Sequence, residues 1–143
     1  MTLGLYQRKQ EHMAIRDAMR TSSAQFLNPG ESIEVVLAAQ TGSPLVRGIG
    51  SAFGLLGALI TVAFNEYRIV AVTDQRILIL DAGRWSLKTA RGVVDFLPRE
   101  TRLGPATGVW HSIEAPSGKI WIHRRFFKDA EAADRVIAPI AYN

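Results

Sequence analysis

One run sets the terms on which this chain folds: RGIGSAFGLLGALITVAF at residues 47–64, in which nothing after Arg47 carries a charge. A helix that is apolar on every side has to be covered on every side. The seventeen residues from Gly48 to Phe64 would form a helix of about 25 Å, against roughly 30 Å of hydrocarbon in a bilayer. That is the lower limit of a span, and topology weighs against a single crossing. SIEVVLAAQ, residues 32–40, reads as a strand before the run, and every other strand candidate lies after it. One crossing would divide a single sheet between two sides of a membrane. The run therefore lies in the interface, enters and returns, or packs on protein, its own core included. On a helical wheel Gly50, Gly54, Gly57 and Thr61 form a small-residue stripe, which permits close approach of another backbone. Phe53, Leu56 and Ile60 belong to the bulky remainder. Gly50, Phe53, Gly54, Leu56, Gly57 and Ile60 are thus the residues expected to carry membrane insertion or self-association.

The same glycines imitate a dinucleotide-binding turn. Gly48, Gly50 and Gly54 follow a strand, and Asp74 falls 24 residues after Gly50, near the place of a ribose-binding acid. Only one βαβ-like passage exists, however, and the remainder reads as hairpins. A nucleotide-binding enzyme is therefore the third reading, behind a membrane-associated module and a soluble scaffold.

The 143 residues suit one domain. With 48% hydrophobic and 21% charged residues, wholesale disorder is excluded. A net charge of +4 favours anionic surfaces without specifying nucleic acid. The absence of cysteine removes disulfide frameworks, thiolate metal sites and cysteine nucleophiles. Arg8, Lys9, Glu11, Arg16 and Asp17 occupy the place of a signal peptide's apolar region. The expected location is cytoplasmic, peripheral to the inner face of the cell membrane.

Residues 3–20 are spaced for an amphipathic helix with Leu5, Met13, Ile15, Ala18 and Met19 as its apolar positions, closed by Asn28-Pro29-Gly30. YRIVAVTDQRILILD, residues 67–81, reads as two strands joined at 73–76. RGVVDFL, 91–97, is a further strand, and WHSIEAPSGKIWIH, 110–123, a hairpin turning at Pro116-Ser117-Gly118. FFKDAEAADRVIA, 126–138, is a closing helix expected to end before Pro139. The predicted class is α+β, mainly β: a small antiparallel sheet or half-barrel with an N-terminal helix (1–30), a main domain (31–143), and an apolar helical insertion at 44–64.

That order resembles a bacterial pleckstrin-homology-like (PH/GRAM-like) domain. The residues that carry the resemblance are YRIVAVTDQRILILD with its hhVTxxRhhhh pattern, GRWSLKTARGVVDFLPRETRLGP, and the hairpin-to-helix ending WHSIEAPSGKIWIHRRFFKDAEAADR. The resemblance spans roughly 31–138 and implies a curved antiparallel sheet closed by the C-terminal helix, in a binding or scaffolding role. In eukaryotic members the loop after the first strand is basic and holds phosphoinositide headgroups. Here the insertion is uncharged from Gly48 to Phe64, a departure that argues against that mode of headgroup recognition.

Lys119, Arg124, Arg125 and Lys128, with His123, gather near the last hairpin and are the expected contact with an anionic surface, at about 1 kcal/mol per basic residue. The bland alternative is a solvated strand end beside Phe126 and Phe127. A second basic group, Arg84, Lys88, Arg91, Arg99 and Arg102, is offset by Asp95 and Glu100. Nucleic acid is disfavoured: alternate positions in Ile120-Trp121-Ile122 must face the core, and tryptophan is more often there than stacked on bases. His12, His111 and His123 have no metal-ligand spacing, and no nucleophile elbow, P-loop or paired-carboxylate motif appears. The expectation is a non-enzymatic chain with no cofactor and no metal. Its partners would be itself, an anionic membrane surface and an unidentified protein.

Overall fold

The Val-Thr-Asp-Gln-Arg segment at 72–76 is the joint around which the sheet is organised. β-Branched and aliphatic residues on either side make strands β2 (Tyr67–Thr73) and β3 (Arg76–Gly83), paired antiparallel through Val72↔Ile77 to Arg68↔Asp81. The Thr73 hydroxyl accepts from the backbone N–H groups of Gln75 (3.1 Å) and Arg76 (3.0 Å), closing the turn. It donates in turn to Glu31 Oε2 at 2.6 Å. Arg76 completes the arrangement with Nε–Oε2 and Nη2–Oε1 distances of 3.1 Å each, a two-point clasp on the same carboxylate. Thr73 and Arg76 thus meet around one buried Glu.

The computed structural model describes residues 2–42 and 65–141. In chain order these form α1 (Thr2–Ser23), β1 (Ile33–Gln40), β2 and β3, β4 (Gly92–Pro98), β5 (Trp110–Ile113), β6 (Ile120–His123) and α2 (Phe127–Ala141). Short 3₁₀ turns at Ala24–Phe26 and Arg124–Phe126 follow α1 and precede α2. The strands form one six-stranded antiparallel sheet in the order β4-β3-β2-β1-β6-β5. Its two edges approach one another, since the backbone N–H of Ser117 in the β5–β6 turn donates to Asp95 Oδ2 of β4 at 2.9 Å. The sheet is thus a curled half-barrel with a helix at either end of the chain.

Residues 36–40, 69–73 and 77–80 are buried without interruption. Consecutive burial means that both faces of the three central strands are covered, which is why they read as continuous apolar runs. Both helices pack on β1, and α1 also reaches β2. Met19 of α1 and Ala130 and Ala133 of α2 join the core. The predicted face of α1 is divided: Met19 is buried and Ile15 half-buried, while Leu5 and Met13 are exposed.

The disfavoured dinucleotide reading loses its ground, and two expectations are corrected. The β1–β2 pair is antiparallel, so the parallel crossover of a dinucleotide-binding unit does not exist here. Asp74 is occupied structurally, its Oδ1 accepting from the Ser32 N–H at 3.0 Å. The closing helix does not stop before Pro139 but runs on to Ala141; Pro139 falls in its last turn, where a proline's φ of about −65° is itself helical and only one backbone bond is forgone. Trp121 is not a core residue: Ile120 and Ile122 are buried on one face, and Trp121 turns to the other. The insertion at 44–64, with Gly50, Phe53, Gly54, Leu56, Gly57 and Ile60, lies outside the described residues.

Candidate binding cleft and basic corner

Strand register explains how the candidate site is assembled. Gln40 pairs with Trp121 across the single β1–β6 contact, and with Tyr67 across β1–β2. One step along the hairpin, His123 pairs with Trp110. Cross-strand partners share a face, and residues two apart along a strand share it too. Gln40, Tyr67, Trp121, His123 and Trp110 therefore stand together on the face opposite Ile120 and Ile122. With Ala38, Leu87, Arg125 and Phe126 they line a cleft of about 240 Å³.

Inside it, the His123 and Trp110 rings meet edge to face, 4.9 Å between centroids. His123 Nδ1 accepts from the Arg125 backbone N–H at 3.2 Å. That bond fixes the neutral tautomer, with the proton on Nε2. Burial, aided by the positive charges of Arg125 and Arg124, holds the His123 pKa below its ordinary value. Arg125 lies over the Phe126 ring, 4.9 Å from its centroid, and among the described residues no carboxylate pairs with it.

Beside the cleft is a basic corner lined by His12, Arg16, Arg124, Arg125, Lys128 and Asp129. His12 and Arg16 are four residues apart on α1 and therefore project from one face. Both reach Asp129 in the first turn of α2, at 3.4 and 3.2 Å. Asp129 is thus compensated, and Arg124, Arg125 and Lys128 remain as exposed positive charges. The structure brings these three predicted residues together and leaves Lys119 apart. Lys119 sits at the opposite end of β6, its Nζ 3.7 Å from Glu114 and 5.7 Å from the Trp121 ring centroid.

A third feature adjoins the cleft through Gln40 and Tyr67. Where β1 ends and β2 begins, the chain is pinned: Gly42 N–H donates to Asn65 Oδ1 (2.8 Å), Glu66 N–H to Thr41 Oγ1 (3.0 Å), and Thr41 N–H to Glu66 O (2.9 Å). Gln40 Nε2 adds a bond to Gly42 O at 2.9 Å. The closeness needs glycine, because a Cβ on residue 42 would lie 2.6 Å from Asn65 Oδ1. Residues 42 and 65 thus meet at one point.

The sequence reading did not find Gln40, Tyr67, Trp110 or Trp121 as cleft residues, nor the convergence of His12 and Arg16 on Asp129. The signal for the tryptophans was present: in an alternating strand that buries Ile120 and Ile122, residue 121 must face the other way. Among the described residues no three His, Asp or Glu side chains gather at a metal-sized site, and no helix is long and apolar enough to cross a membrane. Searches for similar proteins find no matching family model, curated protein or solved structure.

Proposed function

We propose that this chain is a non-enzymatic module with a PH-like arrangement that binds an anionic membrane surface peripherally and self-associates. The observation that carries the reading is the pinned junction of Gly42 with Asn65. It holds the two ends that flank the uncharged sequence together, as a peripheral rather than a once-crossing attachment requires. The junction shares Gln40 with the cleft, and Arg125 links the cleft to the basic corner. The junction and the positive charge are therefore linked through the cleft. Arg124, Arg125 and Lys128 supply electrostatic attraction of about 1 kcal/mol each, together roughly a hundredfold in partitioning.

Sedimentation with phosphatidylcholine–phosphatidylserine vesicles tests this. The intact chain is expected to pellet at low salt, and a R124E/R125E/K128E variant to partition about a hundredfold more weakly or worse. A variant with 47–64 replaced by a Gly/Ser linker should lose the binding that survives high salt. An intact chain that stays in the supernatant at low salt overturns the membrane reading. In that case the runner-up, a soluble scaffold or adaptor, takes its place. That reading is supported by β4, an edge strand with Val93, Val94 and Phe96 exposed. Light scattering without lipid, on the intact chain and the linker variant, measures the self-association common to both.

A further inference from the structure

We infer that the cleft lined by Gln40, Tyr67, Trp110 and Trp121 binds a small amphiphile with one carboxylate head and a short apolar body. The inference goes beyond membrane association and requires no vesicle. Its first ground is size. At about 240 Å³ the cleft falls below the roughly 300–1,000 Å³ of sites for drug-sized ligands, so it suits one short chain or ring rather than a bilayer lipid.

The second ground is the distribution of polarity. Ala38, Leu87, Phe126 and the two indole rings supply apolar surface, and among the described residues neither Asp nor Glu lines the cleft. The positive group is Arg125, whose planar fork matches a carboxylate in two-point contact. One guanidinium balances one negative charge, so a monoanion is neutralised where a dianion would keep an excess charge beside apolar walls. The third ground is the His123 tautomer. With Nδ1 occupied by the Arg125 N–H, Nε2 carries the proton and adds a donor from a residue that lines the cleft. A carboxylate seated at Arg125 thereby gains a second, neutral hydrogen-bond donor, and its alkyl tail lies along the tryptophans.

The chain has three tryptophans, and Trp85, the one outside the cleft, is 83% exposed. A W85F background therefore leaves fluorescence only from Trp110 and Trp121, which both line the site. Octanoate, titrated without vesicles, is expected to change that emission along a saturable curve. Octan-1-ol, with the same tail and no charge, is expected to bind at least ~10-fold more weakly, because charge-assisted bonds are about twice as strong as neutral ones. In W85F/R125Q the octanoate affinity should fall about tenfold while octanol affinity is unchanged. Arg125 is exposed, and an unchanged thermal melt establishes that this variant folds. A linear, non-saturating response to octanoate overturns the inference. So does equal affinity for octanoate and octanol, or an octanoate affinity indifferent to R125Q. Octanoate binding without vesicle binding leaves this site standing and removes the membrane reading; the reverse result does the opposite.

Discussion

The half of the sheet built from β1, β2 and β3 and the corner built from β5, β6 and the start of α2 follow different rules with similar residues. In the first, Val36, Leu37, Ile69, Val70, Leu78 and Ile79 are each at most 1% exposed, at positions on both faces. In the second, the strands send only Ile113, Ile120 and Ile122 into the core, and the alternate positions Trp110, Trp121 and His123 are left half-buried. One β1–β6 pair, Gln40↔Trp121, joins the two regions along the sheet. The physical lesson is a division of labour. Strands covered on both sides hold the fold together, and a strand covered on one side has a free face on which aromatic and basic groups can meet a ligand.

A direct challenge to that division is to truncate one large side chain in each region. Leu78→Ala removes a fully buried residue of β3 and is expected to cost about 3 kcal/mol in urea unfolding. Trp121→Ala removes more atoms, yet Trp121 is only partly buried and borders the cleft, and the expected loss is about 1 kcal/mol. Equal losses, or a larger one at Trp121, would break the comparison.

The next effect comes from the clasp that anchors the central hairpin. The Glu31 side chain has no solvent exposure, and burial alone would raise its pKa. Hydrogen bonds from Arg76, Thr73 and the Asn28 N–H outweigh burial and hold the pKa below its ordinary value of 4.5. A carboxylate depressed in the folded state stabilises the fold above its unfolded pKa. That contribution is lost as pH falls from about 4.5 through the lower folded value. Glu31→Gln is expected to lose about 2 kcal/mol at pH 7 by breaking a buried charge-assisted set. It should also flatten the acid limb of the stability profile below pH 4.5. A variant whose acid limb stays as steep as that of the native chain would show that Glu31 is not the group responsible.

The pinned junction gives a smaller effect and tests whether the cleft side has rigid points of its own. Gly42→Ala puts a methyl 2.6 Å from Asn65 Oδ1 and is expected to cost about 1 kcal/mol. Asn65→Ala alone removes the bond accepted from Gly42 N–H, at about 1 kcal/mol. Because the clash needs the Asn65 side chain, the double variant should cost clearly less than the sum of the two. Strict additivity would mean that the two residues do not press on each other.

The central half was legible in the sequence because its information is local. Val-Thr-Asp-Gln-Arg encodes its own turn, and unbroken aliphatic runs on either side encode strands buried on both faces. The Pro116-Ser117-Gly118 turn and the helix from 127 were legible for the same reason. What escaped was non-local. Nothing near Thr73 and Arg76 in the chain announces Glu31, which lies 42 and 45 residues away. Nothing in the motif of α1 announces that His12 and Arg16 meet Asp129, 117 and 113 residues on. Lys119 and Arg124 look like one cluster when counted along the chain, but a strand of four residues separates them, which sets them about 17 Å apart at roughly 3.3 Å per residue step. Trp121 was misassigned for a different reason: the preference of tryptophan for interiors was weighed above the strand parity that Ile120 and Ile122 impose.

The smallest effect belongs to His123 and bears most directly on the cleft. Its neutral form is favoured first by burial and then by Arg125 and Arg124, and among the described residues no carboxylate pairs with it. An NMR titration of the imidazole Cε1 proton should therefore find its midpoint below the ordinary 6.5. As pH falls, the unfolded chain takes up this proton before the folded one does, so the contribution to stability is present above 6.5 and lost below it. R124Q/R125Q removes the two charges and leaves the burial, so the midpoint should rise while staying under 6.5. A native midpoint at or above 6.5 would mean that His123 is solvated and that the free face of β6 is no cleft. A midpoint unmoved by R124Q/R125Q would mean that both guanidinium groups point away from it, and the single positive charge assigned to the site would have to be sought elsewhere.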